Sequence, residues 1–175
     1  MDLGLSVRWA TCNIGASKPE DRGRYFAWGD ITGQTWNGAW SSGGFQSKSS
    51  RVGYDLTSEY DAAHVKLGGK WRIPTKDECE ELFNNCALLS TTVNGVKGML
   101  FTSEKPGYTD KSIFLPAAGY GSSVSLDKFG IEGFYWSNTF DSEFKAWGLS
   151  FTSKKVFTEY NYSYYGRTIR PVSEY

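Results

Sequence analysis

In the last third of this chain an alternation that calls for β-strands gives way to a run of residues that no packing period explains. Leu149 and Phe151 are two apart, and successive strand side chains point to opposite faces, so Ser150 and Thr152 are expected to look the other way. The same period places Val156 and Thr158 inward and Phe157 and Glu159 outward. Ala146, Leu149, Phe151, Val156 and Ile169 are then expected to share one apolar face of successive strands between Trp136 and Pro171. After Glu159 the alternation dissolves into Tyr160-Asn161-Tyr162-Ser163-Tyr164-Tyr165, closed by Gly166. Four buried tyrosines in such a run would need four hydroxyl partners. Two readings stay open: a contact surface of the kind antibody loops build from Tyr, Ser, Asn and Gly, or an edge hairpin with its rings flat on the body of the protein.

Composition narrows the rest. Aromatic residues make up 17% of the chain and there are 20 glycines, which suits a loop-rich α+β fold packed on rings rather than long helices. Basic and acidic residues balance at 19 each without a basic run, which argues against nucleic acid or an anionic membrane as partner. No apolar run approaches the roughly 18 residues of a membrane span, so no insertion into a bilayer is expected. Residues 1–175 suit one domain with a sizeable core. Met1-Asp2-Leu3 runs straight into an expected strand, Leu3 to Ile14, with Leu5, Val7 and Trp9 on one side, so these first residues are not expected to act as a signal peptide.

Two helices are expected. The first runs from Ser58 to Leu67, with Ser58 and Asp61 as its capping signal and Gly68-Gly69 as its stop. It carries His64, the one histidine, which has no metal-ligand partner at helical spacing and reads as structural or solvent-facing. The second and better marked starts at Thr75, with Glu78 three residues on, and continues through Cys79, Leu82, Phe83 and Cys86 as one apolar stripe; Lys76, Glu80 and Glu81 form its wet face. On such a helix Cys79 and Cys86 lie about two turns apart, too far to bond to each other. Either Cys12 pairs with one of them or all three are buried thiols. Between the helices and the end, Asn94-Gly95 marks a tight hairpin, Ser112 to Gly119 a strand buried on both faces, and Gly119 to Gly133 a loop. The aperiodic stretch from Gly29 to Gly53 is either a functional surface loop or an excursion pinned by Trp36 and Trp40.

Six short motifs occur in an order found in one family. They are Asp2-Leu3-Gly4-Leu5-Ser6-Val7-Arg8-Trp9-Ala10-Thr11, Tyr25-Phe26-Ala27-Trp28-Gly29, Trp71-Arg72-Ile73-Pro74-Thr75, Phe114-Leu115-Pro116-Ala117-Ala118-Gly119, Tyr135-Trp136-Ser137 and Ile169-Arg170-Pro171-Val172. Together they resemble the Fibrobacter succinogenes major paralogous domain family of surface lipoproteins and exported proteins. That resemblance implies a C-type-lectin-like fold, with two helices, small antiparallel sheets and adjacent N- and C-terminal strands. It relates the chain to formylglycine-generating-enzyme-like domains and to the variable proteins of diversity-generating retroelements. It also implies a domain excised from a longer exported protein, extracellular or at the cell surface of a gut bacterium, where a lipoprotein anchor would precede it.

In the retroelement-linked relatives the segment between the Trp-Ser motif and the final Arg-Pro-Val is diversified. Carried over position by position, the ligand-binding candidates are Phe140, Asp141, Glu143, Phe144, Trp147, Ser150, Thr152, Phe157, Glu159, Tyr160, Asn161, Tyr162, Tyr164 and Tyr165. Adenine-randomised asparagine codons do not yield Glu143, Trp147 or Glu159, which points to a fixed relative. The function implied is non-enzymatic, adhesin-like recognition of a protein or glycan, with a structural tip subunit of a surface appendage as the alternative. A formylglycine-generating-type oxidase with copper ranks third, because those enzymes need late thiols and no cysteine follows Cys86. No metal or cofactor is expected: the sugar-binding Glu-Pro-Asn or Gln-Pro-Asp triplet of calcium lectins is missing, and Trp136-Ser137-Asn138 half matches their second motif.

Overall fold

The computed structural model describes residues 1–41, 44, 45 and 53–175. Part of the Gly29 to Gly53 stretch therefore lies outside the described residues. Within it Trp36 and Trp40 pair through a backbone bridge, and Trp40 packs beneath Tyr25 and Ala118, so the beginning of the excursion is pinned as one of the two readings expected.

The architecture is α+β and loop-rich, with two α-helices and several small antiparallel sheets among the described residues. The chain termini meet in the first sheet, where β11 (Val172–Ser173) lies between β1 (Arg8–Trp9) and β2 (Trp71–Arg72). Only two residues of the expected Leu3 to Ile14 strand pair in a ladder. Its alternation is nevertheless real, since Leu3, Leu5, Val7 and Trp9 are all buried.

Helix α1 is shorter than expected, Ala62–Leu67, after a 3-10 turn at Ser58–Tyr60. Its cap is Asp61 rather than Ser58. The buried carboxylate accepts from the N–H groups of Ala63, His64 and, across the chain, Ile73, tying the helix start to the residue after β2. Burial raises the Asp61 pKa, and these three N–H groups work against the rise.

Helix α2, Lys76–Asn84, has the full capping box: Thr75 Oγ1 accepts from Glu78 N at 3.1 Å and Glu78 Oε2 accepts from Thr75 N at 2.8 Å. Arg72 adds two short bonds to the same carboxylate. Cys79 and Leu82 are buried beneath it, but Cys86 begins β3 instead of ending the helix. The cysteines are free, and Cys12 is half-exposed rather than buried.

A second sheet holds β3 (Cys86–Val93), β4 (Val96–Ser103) and β5 (Ser112–Pro116) in that order. Asn94 and Gly95 turn the β3–β4 hairpin with φ of 47° and 83°, the left-handed pair a two-residue loop requires. The segment expected to be a plain loop, Gly119 to Gly133, contains a small ribbon, β6 (Tyr120–Gly121) with β7 (Leu126–Asp127). Two-residue strands carry no period, so the sequence gives no sign of them.

The third sheet is the one that positions the late residues. It runs β10 (Val156–Tyr162), β9 (Lys145–Phe151), β8 (Gly133–Ser142). One face takes α2 and the core of Leu149, Phe151, Tyr135, Cys79 and Leu82. The other faces a separate core, where Trp136, Ala146 and Ile169 meet Phe26 and Trp28. The five apolar residues expected on one face are thus divided between two cores: Leu149, Phe151 and Val156 on the helix side, Ala146 and Ile169 on the other. Parity explains it, because 146 and 149 differ by an odd number.

Candidate functional site

The register of the third sheet decides where each late side chain points. Tyr160 pairs with Trp147 and Tyr162 with Lys145, so these four share the α2 face, beyond the part the helix covers. Glu159 pairs with Gly148 and Asn161 with Ala146, which puts Phe157, Glu159 and Asn161 on the opposite face. The fourteen candidates therefore do not form one surface.

On the helix side the rings form a continuous strip. Lys76, at the start of α2, holds its ammonium 4.3 Å from the Trp147 ring; Trp147 meets Tyr160 edge-on at 5.3 Å. Lys145 stands over both Tyr160 and Tyr162, and Tyr162 stacks on Tyr164 at 5.0 Å with the planes 14° apart. Tyr160, Tyr162 and Tyr164 are 50%, 42% and 44% exposed. What holds them out is Ser163, fully buried between them. Its N–H donates to Phe144 O, its carbonyl accepts from Trp28 N, and the turn closes with Tyr165 N donating to Tyr162 O. By contrast, the core tyrosines have bonded hydroxyls: Tyr25 donates to Ala118 O and Tyr135 to Pro116 O. Burial pushes the Tyr135 hydroxyl up to about 12.

The expected wet face of α2 is not simply wet. Glu80 accepts from Thr158 Oγ1 at 2.7 Å while pairing with Lys76, and Glu81 accepts from the backbone and hydroxyl of Ser6. Thr158 is half-buried beneath this contact.

On the opposite face Tyr165 turns the strip around the end of the sheet, touching Tyr162 and Tyr164 on one side and Tyr120 on the other. A cleft of about 270 Å³ opens there, walled by Tyr120, Phe134 and Tyr165 and edged by Asn161, Lys128 and Glu159. It reaches Arg167, which is 1% exposed, with its guanidinium 4.6 Å from the Trp136 ring and 5.2 Å from that of Phe134. Arg167 Nη2 donates to Glu159 Oε1 at 3.0 Å, and Ser150 donates to the same oxygen. Nε and Nη1 find no hydrogen-bond partner among the described residues. Burial lowers the Arg167 pKa, with Glu159 opposing. Position 148 is glycine above all because a Cβ there would lie 2.3 Å from Tyr135 O; it would also crowd Nη1 at 3.0 Å.

Two expectations are corrected on this face. Ser150, expected outward, is 1% exposed, and Glu159 is half-buried against Arg167. The face is covered because the segment after Tyr165 returns along β8: Trp136 N donates to Thr168 O, and Thr168 Oγ1 donates to Phe134 O. Phe140 is also half-buried, packed against Trp28, while Phe157 and Thr152 are half-buried elsewhere on the sheet. Asp141 lies near the end of β8 and is half-buried, while Glu143 and Phe144 form the β8–β9 turn, where both are exposed and Phe144 has a φ of 65°.

Residues 90–172 match a domain of unknown function, DUF8237. The DUF8237 match begins within β3 and ends at β11, so it takes in the whole third sheet and both of its faces. No curated protein and no solved structure matches the chain. Reasoning from sequence missed Arg167, Tyr120, Phe134 and Lys128. The available signal was Gly166-Arg167-Thr168-Ile169-Arg170-Pro171-Val172, where two arginines stand in an otherwise apolar closing segment.

Proposed function

We propose that this chain is a non-enzymatic recognition domain of C-type-lectin-like fold, which binds a protein or glycan as part of an exported, surface-attached protein. The observation that carries the reading is the tyrosine turn, whose rings are exposed while the backbone beneath them is locked through the buried Ser163. Large amphipathic rings on a rigid base lose little freedom on binding. Trp147, Tyr160, Tyr162 and Tyr164 are the anchors, with Lys145 and Lys76 between them. Three or four such anchors at roughly 2 kcal/mol each oppose an association cost of about 4–15 kcal/mol, so one copy binds at about micromolar strength at best. An array of copies gains by avidity. An oxidase is disfavoured by its thiols, since burial pushes Cys86 up to about 11 and Cys79 higher still, leaving both protonated at neutral pH.

The test is a screen of the domain in multivalent form against a glycan array and a panel of host surface proteins. A hit that Tyr162→Ala and Tyr164→Ala both weaken supports the reading; a hit indifferent to them removes this face from it.

One observation favours the alternative, a structural subunit of a surface appendage. The outer strand β3 carries no charged side chain over eight residues and exposes Leu88 and Leu89, which is the form of edge that accepts a strand from another chain. Light scattering decides it: a stable oligomer dissociated by Leu89→Lys belongs to the assembly reading.

A further inference from the structure

We infer that the cleft between Tyr120, Phe134 and Tyr165 is a binding site for a single neutral sugar ring, with Glu159 and Asn161 as the groups that read its hydroxyls and buried Arg167 holding Glu159 in place. The inference rests on the recognition reading above and names the ligand class, but it assigns the ligand to the face away from the exposed tyrosines.

The argument begins with charge. A buried guanidinium with free N–H groups suggests an anion, yet Glu159 already neutralises Arg167 at 3.0 Å, and Lys128 at the rim is paired with Glu132 at 3.4 Å. Asp127 adds a further negative charge on the neighbouring ribbon. No net positive field remains to draw in a carboxylate or phosphate. What remains is hydrogen-bonding capacity without charge. The unbonded Nε and Nη1 of Arg167 are closed off from solvent, so the groups that reach a ligand are the Glu159 carboxylate and the Asn161 amide, both lining the cleft; Asn161 Oδ1 accepts from Tyr162 N, which leaves its Nδ2 to donate. A hydroxyl both donates and accepts, so two neighbouring hydroxyls on one ring can accept from Asn161 Nδ2 and donate to Glu159 together.

Shape agrees with this division. The walls are aromatic, which suits the C–H face of a pyranose, whereas the polar groups gather at one side. The volume, about 270 Å³, lies just under the lower end of ordinary ligand pockets, at roughly 300 Å³, and so holds one ring rather than an extended chain.

The probes are methyl glycosides of neutral hexoses, 6-deoxyhexoses and N-acetylhexosamines, with sialic acid and galacturonic acid alongside, measured by saturation-transfer NMR and calorimetric titration. Binding of at least one neutral glycoside is expected, weakened about tenfold by Tyr120→Ala and by Asn161→Ala and unchanged by Tyr162→Ala. Glu159→Gln is expected to abolish it. Because that change also strips Arg167 of its counter-ion, the two alanine variants, checked for unchanged melting, carry the conclusion if the glutamine variant unfolds. Binding of the acidic sugars alone, binding of none, or sensitivity to Tyr162→Ala without sensitivity to Tyr120→Ala would each overturn the assignment. The last of these leaves the outer tyrosine face standing as the sugar site; the converse pattern keeps the cleft and leaves the outer face to a separate partner, which the screen above tests.

Discussion

Two arginines three residues apart, each 1% exposed, are bonded in opposite ways. Arg170 is spent on the frame. Nε donates to Asn13 Oδ1 and Nη2 to Phe114 O, both at 2.9 Å, with longer contacts to Ala10 O and Pro19 O. It joins the closing segment to the N-terminal segment and to β5 without a carboxylate, and burial lowers its pKa to about 10. Arg167 has one carboxylate, two ring faces and two nitrogens left over among the described residues. The same difference separates the regions around them. Around Arg170 the guanidinium donors are spent on internal acceptors; at the end of the third sheet hydroxyls, amides and rings stay available.

Removing each arginine is the strongest way to break that contrast. Arg170→Ala is expected to cost about 4 kcal/mol, because several buried acceptors lose their donor at roughly 1–3 kcal/mol each, less the relief of no longer burying a charge. Arg167→Met, which keeps an apolar stem between the rings, is expected to cost about 2 kcal/mol. Urea denaturation measures both, and equal losses would mean Arg167 is as structural as Arg170.

Between those two losses lies Leu149→Ala. The side chain is fully buried between β8, β9 and α2, and its loss is expected to cost about 3 kcal/mol in the same measurement.

Glu78→Gln follows, at about 1–2 kcal/mol, and it tests the frame by pH. Burial acts to raise the Glu78 pKa, but Arg72 and the Thr75 N–H outweigh it, and the folded value lies below the unfolded one. Its contribution is therefore fully present above the unfolded carboxylate pKa and is lost as pH falls through the lower, folded one. The variant should flatten that acid limb; an unchanged limb would leave the Arg72–Glu78 pair without weight.

How much of this was legible beforehand follows the same divide. Helix α2 could be read because its signals are local: Thr75, Glu78 and the spacing to Leu82 are all within one short segment. The Asn94-Gly95 hairpin could be read for the same reason. Helix α1 was misread at its cap because Asp61 is held in part by Ile73, a residue beyond the helix. The late strands were read with correct parity for Leu149 and Phe151. Parity says only that Ser150 faces away from them, however, and the far side is covered by the returning segment at Thr168. The cleft joins Tyr120, Phe134, Glu159 and Arg167 from separate stretches, and no spacing rule connects them.

The smallest effect on stability is expected at the exposed rings proposed to anchor a protein or glycan. Tyr162 and Tyr164 stack on each other and lean on Tyr165, but their turn is held by the Ser163 and Tyr165 backbone bonds, which do not depend on their side chains. Tyr162→Ala or Tyr164→Ala should therefore shift stability by less than about 0.5 kcal/mol. A melting loss comparable to that of Leu149→Ala would mean that the stack braces the fold. In that case the contrast between a closed frame and an open end would lie elsewhere than at these rings, and the outer face would lose its claim as a surface held ready for a partner.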